Sequence, residues 1–193
     1  LWGGRADPAT GRAWQADTLV GVASVTKGIT ALAALHLVER GLLELDAPVA
    51  RYWPEFARAG KADITVRHLL NHRAGLPAMD PDLPALALYD WGACVGALED
   101  TKPAWPPGSR HGYHPMTFGT LVGEVVRRIT GVSVGHYLRT EITGPLDADF
   151  FVGLPAAAEP RVARLLPDPP PPPGQATMWT LITRPTRWRG ARS

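Results

Sequence analysis

The sequence predicts an α+β fold on three observations. Extended, turn-punctuated segments come first, segments of helical period follow, and 193 residues suffice for one ordinary domain or about one and a half. A chain of this size hides roughly 70% of its unfolded surface. Hydrophobic residues make up 45% and charged residues 20%, values of a globular protein. No apolar run approaches the ~20 residues of a membrane helix, which excludes a membrane span.

Taken in order, Leu1-Trp2-Gly3-Gly4 and Thr18-Leu19-Val20-Gly21-Val22-Ala23 flank the turn-rich Asp7-Pro8-Ala9-Thr10-Gly11, so residues 1–23 read as a strand, a reversal and a second strand. From Ser24 to Arg40 the period becomes helical. Ile29, Leu32, Ala33, Leu35, His36 and Val38 lie on most sides of that helix, which predicts that it is buried, and Gly41 stands at its C′ position. A Pro-punctuated connection follows Leu42-Leu43-Glu44-Leu45-Asp46. The pattern then predicts a short helix near Val66 to Asn71, a second from Leu88 to Glu99 and a third from Thr117 to Thr130. The third has Leu121, Val122, Val125, Val126 and Ile129 as its apolar face and Gly131 as its stop. From about Pro155 the pattern fades. The division expected is therefore a domain over 1–155 and a Pro-rich connector with a basic tail over 156–193. Five consecutive prolines at 169–173 read as a polyproline connector in preference to a ligand for an SH3-like or WW-like domain.

The net charge of +2 carries no case for nucleic acid. Residues 175–193 hold Arg184, Arg187, Arg189 and Arg192 and no acid; without them 16 basic residues face 18 acidic ones. The single cysteine, Cys94, forbids an intrachain disulfide and reads as a small buried hydrophobe. No charged segment leads into an apolar run with a small-residue cleavage site, so no leader is expected within this stretch, although Leu1 in place of Met leaves room for one already removed.

The chemistry starts at Ser24-Val25-Thr26-Lys27, where an extended segment gives way to a helix. Positions i and i+3 face the same way there, so the hydroxyl and the ammonium can meet in the first turn. A hydroxyl is a weak nucleophile until a base takes its proton, a lysine in an apolar setting can serve as that base, and a helix N-terminus favours developing negative charge. The plainer reading is an N-cap Ser beside a solvated Lys. Chance placement of four serines and three lysines gives only about 0.06 such pairs in a chain this long.

Ser24-Val25-Thr26-Lys27-Gly28, Leu37-Val38-Glu39-Arg40-Gly41, Leu45-Asp46-Ala47-Pro48-Val49 and Tyr52-Trp53-Pro54-Glu55-Phe56 together resemble the serine β-lactamase-related family. That family holds class C β-lactamases, D-alanyl-D-alanine peptidases and family VIII-type esterases. The likeness continues through Ile64-Thr65-Val66-Arg67-His68-Leu69-Leu70-Asn71-His72-Arg73-Ala74-Gly75-Leu76-Pro77. It returns at Trp105-Pro106-Pro107-Gly108, Tyr113, Leu121-Val122-Gly123-Glu124 and Thr130-Gly131, covering roughly residues 1–155.

The resemblance implies a β-lactamase/transpeptidase-like architecture, with a helical region packed against an antiparallel sheet and the active site at their junction. It implies acyl transfer: Ser24 as nucleophile, Lys27 helping to deprotonate it, Tyr113 relaying protons to and from the leaving group, and the Ser24 amide as one of two oxyanion donors. A phenol beside a lysine cation has a lowered pKa and can serve as base, while the plainer reading of Tyr113 is a packed loop aromatic. The partner implied is a small-molecule ester or amide. The mechanism requires no organic cofactor and no metal.

Two departures from the family pattern bear on function. β-Lactam-hydrolysing members carry Tyr-x-Asn, whereas Tyr113 is followed by His114 and Pro115, and proline offers no donor. That favours simple esters, with His114 as a candidate substrate contact in place of the Asn. The third family motif, Lys-Thr-Gly or a His-containing or Gly-rich equivalent on a strand, has no counterpart after Tyr113. The expectation is therefore a partial sequence with an incomplete sheet, and the alternative to a serine hydrolase is a non-catalytic remnant or binding domain of the same fold. His68 and His72 stand four apart, the spacing of a zinc pair, but Leu69 follows where a metalloprotease needs Glu, so both read as packing or capping residues. His36 and His111 read as structural, and the segment Asp63 to Pro77 as scaffold.

Overall fold

The computed structural model describes residues 1–79 and 85–166, so the proline run and the basic tail lie outside the described residues. The chain opens on an antiparallel hairpin of β1 (Arg5–Asp7) and β2 (Arg12–Ala13). Asp7 closes its turn, accepting from the Ala9 N–H at 2.9 Å and the Thr10 hydroxyl at 3.0 Å. That closure draws the pairing inward. The strands lie next to the reversal, not at Leu1–Gly4 and Thr18–Ala23 as the sequence suggests, and among the described residues the latter segment makes one parallel bridge, Leu19 to Val162.

Helix α1 runs Val25–Glu39, α2 Val66–Leu70, α3 Trp91–Asp100, α4 Thr117–Thr130 and α5 Val134–Leu138. Gly41 and Gly131 end α1 and α4 with φ of 71° and 77°, the left-handed stop that glycine adopts without a Cβ penalty. Thr65 and His68 form a reciprocal capping box that starts α2, which gives His68 its capping role. Asp90 caps α3 through the Ala93 N–H at 3.0 Å, one turn later than the predicted start at Leu88, because residues 85–89 form a 3₁₀ turn instead.

The sequence predicts α1 as the buried helix, and the structure gives that place to α4. Nine of the ten positions from Thr117 to Val126, all but Gly119, are buried in α4, since α1, α2, α3 and α5 all pack on it. In α1 only Thr30, Ala33, Ala34 and Leu37 are buried, while Leu32 and Leu35 remain 43% and 46% exposed. They face away from the helical layer, and no described strand covers them. Trp53, Phe56, Ile64, Leu69, Leu76 and Leu98 complete the core.

Two buried charges are built into this core. Glu124 accepts from Trp91 Nε1 at 2.8 Å, Arg127 Nε at 2.7 Å and Arg128 Nε at 2.7 Å. Burial raises its pKa, but those donors outweigh it and hold the carboxyl below the usual range. Lys61 caps the C-terminal end of α3, donating to the Glu99 and Thr101 carbonyls at 2.7 and 2.8 Å. Cys94 is buried, as its composition suggests, and burial pushes its thiol up. Residues 156–166, assigned from sequence to a connector, are packed in part. Ala163 N–H donates to Leu19 O at 2.7 Å, Arg164 N–H to Ala6 O at 2.8 Å, and Arg161 Nη2 reaches Asp149 at 2.5 Å. No helix among the described residues is long and apolar enough to cross a membrane.

Candidate active site

The approach to α1 is a tight turn. Val25 N–H donates to Val22 O and Thr26 N–H to Ala23 O, both at 3.1 Å. Ala23 adopts φ of 44°, a left-handed conformation that costs an L-residue roughly 1–2 kcal/mol. The turn leaves Ser24 exposed at the head of the helix, while Ala33, Ala34 and Leu37 anchor the helix below. One turn on, Lys27 Nζ donates to Ser24 Oγ at 3.1 Å. Among the described residues Lys27 forms no ion pair with a carboxylate, and the Ser24 amide N–H has no acceptor.

Tyr113 comes to the same point from a loop. Its ring centroid is 5.1 Å from Lys27 Nζ, so the phenol and the Ser24–Lys27 pair share one place at the head of α1. Burial acts to raise its pKa, but the neighbouring Ser24 hydroxyl and Lys27 ammonium prevail, and the phenol lies below its ordinary 10. The three residues singled out in the sequence are thus together.

The loop is laced to the segment after α2. Ala104 N–H donates to Gly75 O at 2.7 Å, Gly108 N–H to Arg73 O at 2.9 Å and Gly112 N–H to His72 O at 3.0 Å. Gly112 is required by space, since a Cβ there would sit 2.4 Å from Trp105 Cη2. His114 corrects the sequence expectation. It is fully buried, its Nε2 accepts from the Leu76 N–H at 2.9 Å, and its Nδ1–H donates to Gly112 O at 2.5 Å. Both ring nitrogens are engaged, so it offers a substrate no polar atom. Desolvation drives its pKa down to about 4. His114 therefore braces the loop from inside.

His36 Nδ1 meets the Tyr137 hydroxyl at 2.9 Å, a structural pairing, and His111 stands edge-on to His72 at 5.9 Å. The sequence assigns His72 to the scaffold and carries no sign of its contact with Tyr113, ring centroids 5.0 Å apart. Nor does it single out Gly112, whose position directly before Tyr113 and after a Trp-Pro-Pro-Gly turn is the available signal. Among the described residues no three His, Cys, Asp or Glu side chains converge as a metal site.

Comparison with known proteins places the chain in a family. The Beta-lactamase family model matches residues 1–185. The chain is 39% identical to the esterase/β-lactamase LipL of Mycobacterium tuberculosis over 171 residues, which is 86% of this chain and 39% of that protein. It is 52% identical to esterase EstB of Burkholderia gladioli over 160 residues, 74% of this chain and 40% of that protein. Among solved structures, a penicillin-binding protein homologue from Caulobacter crescentus superposes with a TM-score of 0.85 at 39% identity, covering 97% of this chain and 51% of that one. A family VIII carboxylesterase superposes with a TM-score of 0.82 at 42% identity, covering 86% of this chain and 46% of that one. The chain thus spans about two fifths of the length of these curated relatives. The fold is the β-lactamase/transpeptidase-like α+β fold, represented among the described residues by its helical layer and one short hairpin. On the family match across 1–185 and the likeness of fold together, the chain belongs to the Beta-lactamase family.

Proposed function

We propose that the chain carries the nucleophile and proton-relay groups of a serine hydrolase acting on small esters, through an acyl-enzyme on Ser24. The observation that carries the reading is the 3.1 Å contact of Lys27 Nζ with Ser24 Oγ under the Tyr113 hydroxyl. In this reading the Lys27 ammonium stabilises Tyr113 as phenolate, and Tyr113 takes the Ser24 proton as Oγ attacks the carbonyl carbon. The carbonyl π pair moves onto oxygen, where the Ser24 N–H at the head of α1 can donate to it; a donor of this kind is worth roughly 3 kcal/mol. Collapse expels the alkoxide, which takes the proton back from Tyr113. Water then repeats the steps to release the acid.

Ester preference over β-lactams is supported by the residues after Tyr113. His114 is turned inward, and Pro115 has neither a backbone N–H nor a side-chain amide to hold an acylamino group. The test is turnover of p-nitrophenyl acetate against a chromogenic cephalosporin. Measurable ester turnover that Ser24→Ala abolishes is expected, with little on the cephalosporin; the reverse preference overturns the ester assignment.

A further inference from the structure

His72 contacts all three residues of the Gly112-Tyr113-His114 tripeptide. Its carbonyl oxygen accepts from the Gly112 N–H at 3.0 Å, and its ring Nδ1 accepts from the His114 N–H at 3.2 Å. Between those bonds, its ring lies against Tyr113 at 5.0 Å. Phe118 at 4.9 Å, His114 at 5.5 Å and His111 at 5.9 Å pack on the same ring.

Two further facts show that this arrangement is held against a cost. His72 has φ of 60°, a left-handed conformation that persists in non-glycine residues only where the surroundings impose it. An imidazole nitrogen accepts only when it carries no proton, so the His114 bond requires the neutral ring with its proton on Nε2. Burial, followed by the charges of His111 and Lys27, lowers the His72 pKa from 6.5 and preserves that form near neutral pH.

We infer that His72 is a positioning residue for the site: it fixes the Tyr113 hydroxyl over Ser24 and Lys27 by clamping the peptides on either side of Tyr113. It does not touch the reacting atoms. Its expected effect on acylation rests on the hydrolase reading above, whereas its effect on Tyr113 does not.

Two variants separate the side chain from the backbone. His72→Gly adopts a positive φ without strain and removes the ring and its acceptor. His72→Asn also tolerates the left-handed region and keeps an acceptor oxygen near the place of Nδ1. The readouts are the acylation rate of Ser24 with p-nitrophenyl acetate and the titration of the Tyr113 phenol, followed by NMR of ¹³Cζ-labelled tyrosine with Tyr113→Phe assigning the signal. In His72→Gly, acylation is expected to fall by about 10²-fold, the penalty of a misplaced catalytic group, and the Tyr113 titration to move up toward its ordinary value. His72→Asn is expected to restore most of both. A folded His72→Gly protein with native acylation and native Tyr113 titration overturns the inference, as does an equal loss in the two variants. If His72→Gly fails to melt cooperatively, the unaltered chain decides: an unprotonated Nδ1 at pH 7 by ¹⁵N shift supports the clamp and a protonated one overturns it. If no protein is acylated but the Tyr113 titration moves in His72→Gly alone, the hydrolase reading fails and the positioning role stands.

Discussion

Acid should loosen the loop that carries Tyr113, and His114 sets how much. The buried ring accepts the Leu76 N–H through Nε2 and donates to Gly112 O through Nδ1, so only the neutral imidazole fits. In the unfolded chain the same side chain binds its proton near 6.5, whereas in the fold it resists until about 4. Between those values the unfolded state holds more protons, so stability falls as the pH falls. The His114 contribution is complete above pH 6.5 and is lost as pH drops through about 4. A displacement from 6.5 to about 4 corresponds to about 3 kcal/mol. The assay is urea unfolding at several pH values between 7 and 4 for the native chain and His114→Gln. The variant should begin lower by roughly 1–3 kcal/mol, because a buried backbone partner is left unpaired. It should then lose about 3 kcal/mol less than the native chain on acidification. Parallel stability curves for the two proteins would mean that the buried His114 ring does not set the acid sensitivity.

Other perturbations have equally definite outcomes. Tyr113→Phe should abolish the alkaline-rising limb of the acylation rate, which in the native chain should turn below the ordinary phenol value of 10 because the active form is the ionised one; the pH profile checks it. Glu124→Ala removes a carboxylate with no exposed side-chain surface together with its bonds to Trp91, Arg127 and Arg128, the last of which keeps Glu55, so urea unfolding should show a loss of roughly 1–3 kcal/mol. Gly112→Ala drives a Cβ to within 2.4 Å of Trp105 Cη2, and its acylation defect should be relieved by adding Trp105→Ala, a coupling that a double-mutant cycle measures.

How legible this molecule is in its sequence differs by element. Helix α4 was readable from Thr117 to Thr130 because its apolar residues recur at helical spacing and Gly131 stops it. The Ser24–Lys27 pair was readable because a separation of three residues at a helix start fixes a shared face. The burial of α1 was misread, since periodicity reports which side chains are apolar and not whether another layer covers them; Leu32 and Leu35 are apolar and exposed. The hairpin was displaced because the Asx bonds of Asp7 set where pairing begins, and those depend on turn geometry. His114 was misassigned because sequence adjacency to Tyr113 says nothing of direction: Tyr113 remains 40% exposed while its neighbour is wholly buried. The role of His72 arises from contacts between residues about 40 positions apart, which no local pattern records.

Ser24 is expected to be an activated nucleophile because Lys27 and Tyr113 meet it at the head of α1. The most direct measurement is the intact mass of the folded chain after exposure to a fluorophosphonate, beside Ser24→Ala. A single adduct on the native chain that is missing from the variant is the expected result. A folded native chain that gains no mass, or an adduct that survives in Ser24→Ala, would mean that Ser24 is not activated in this fold.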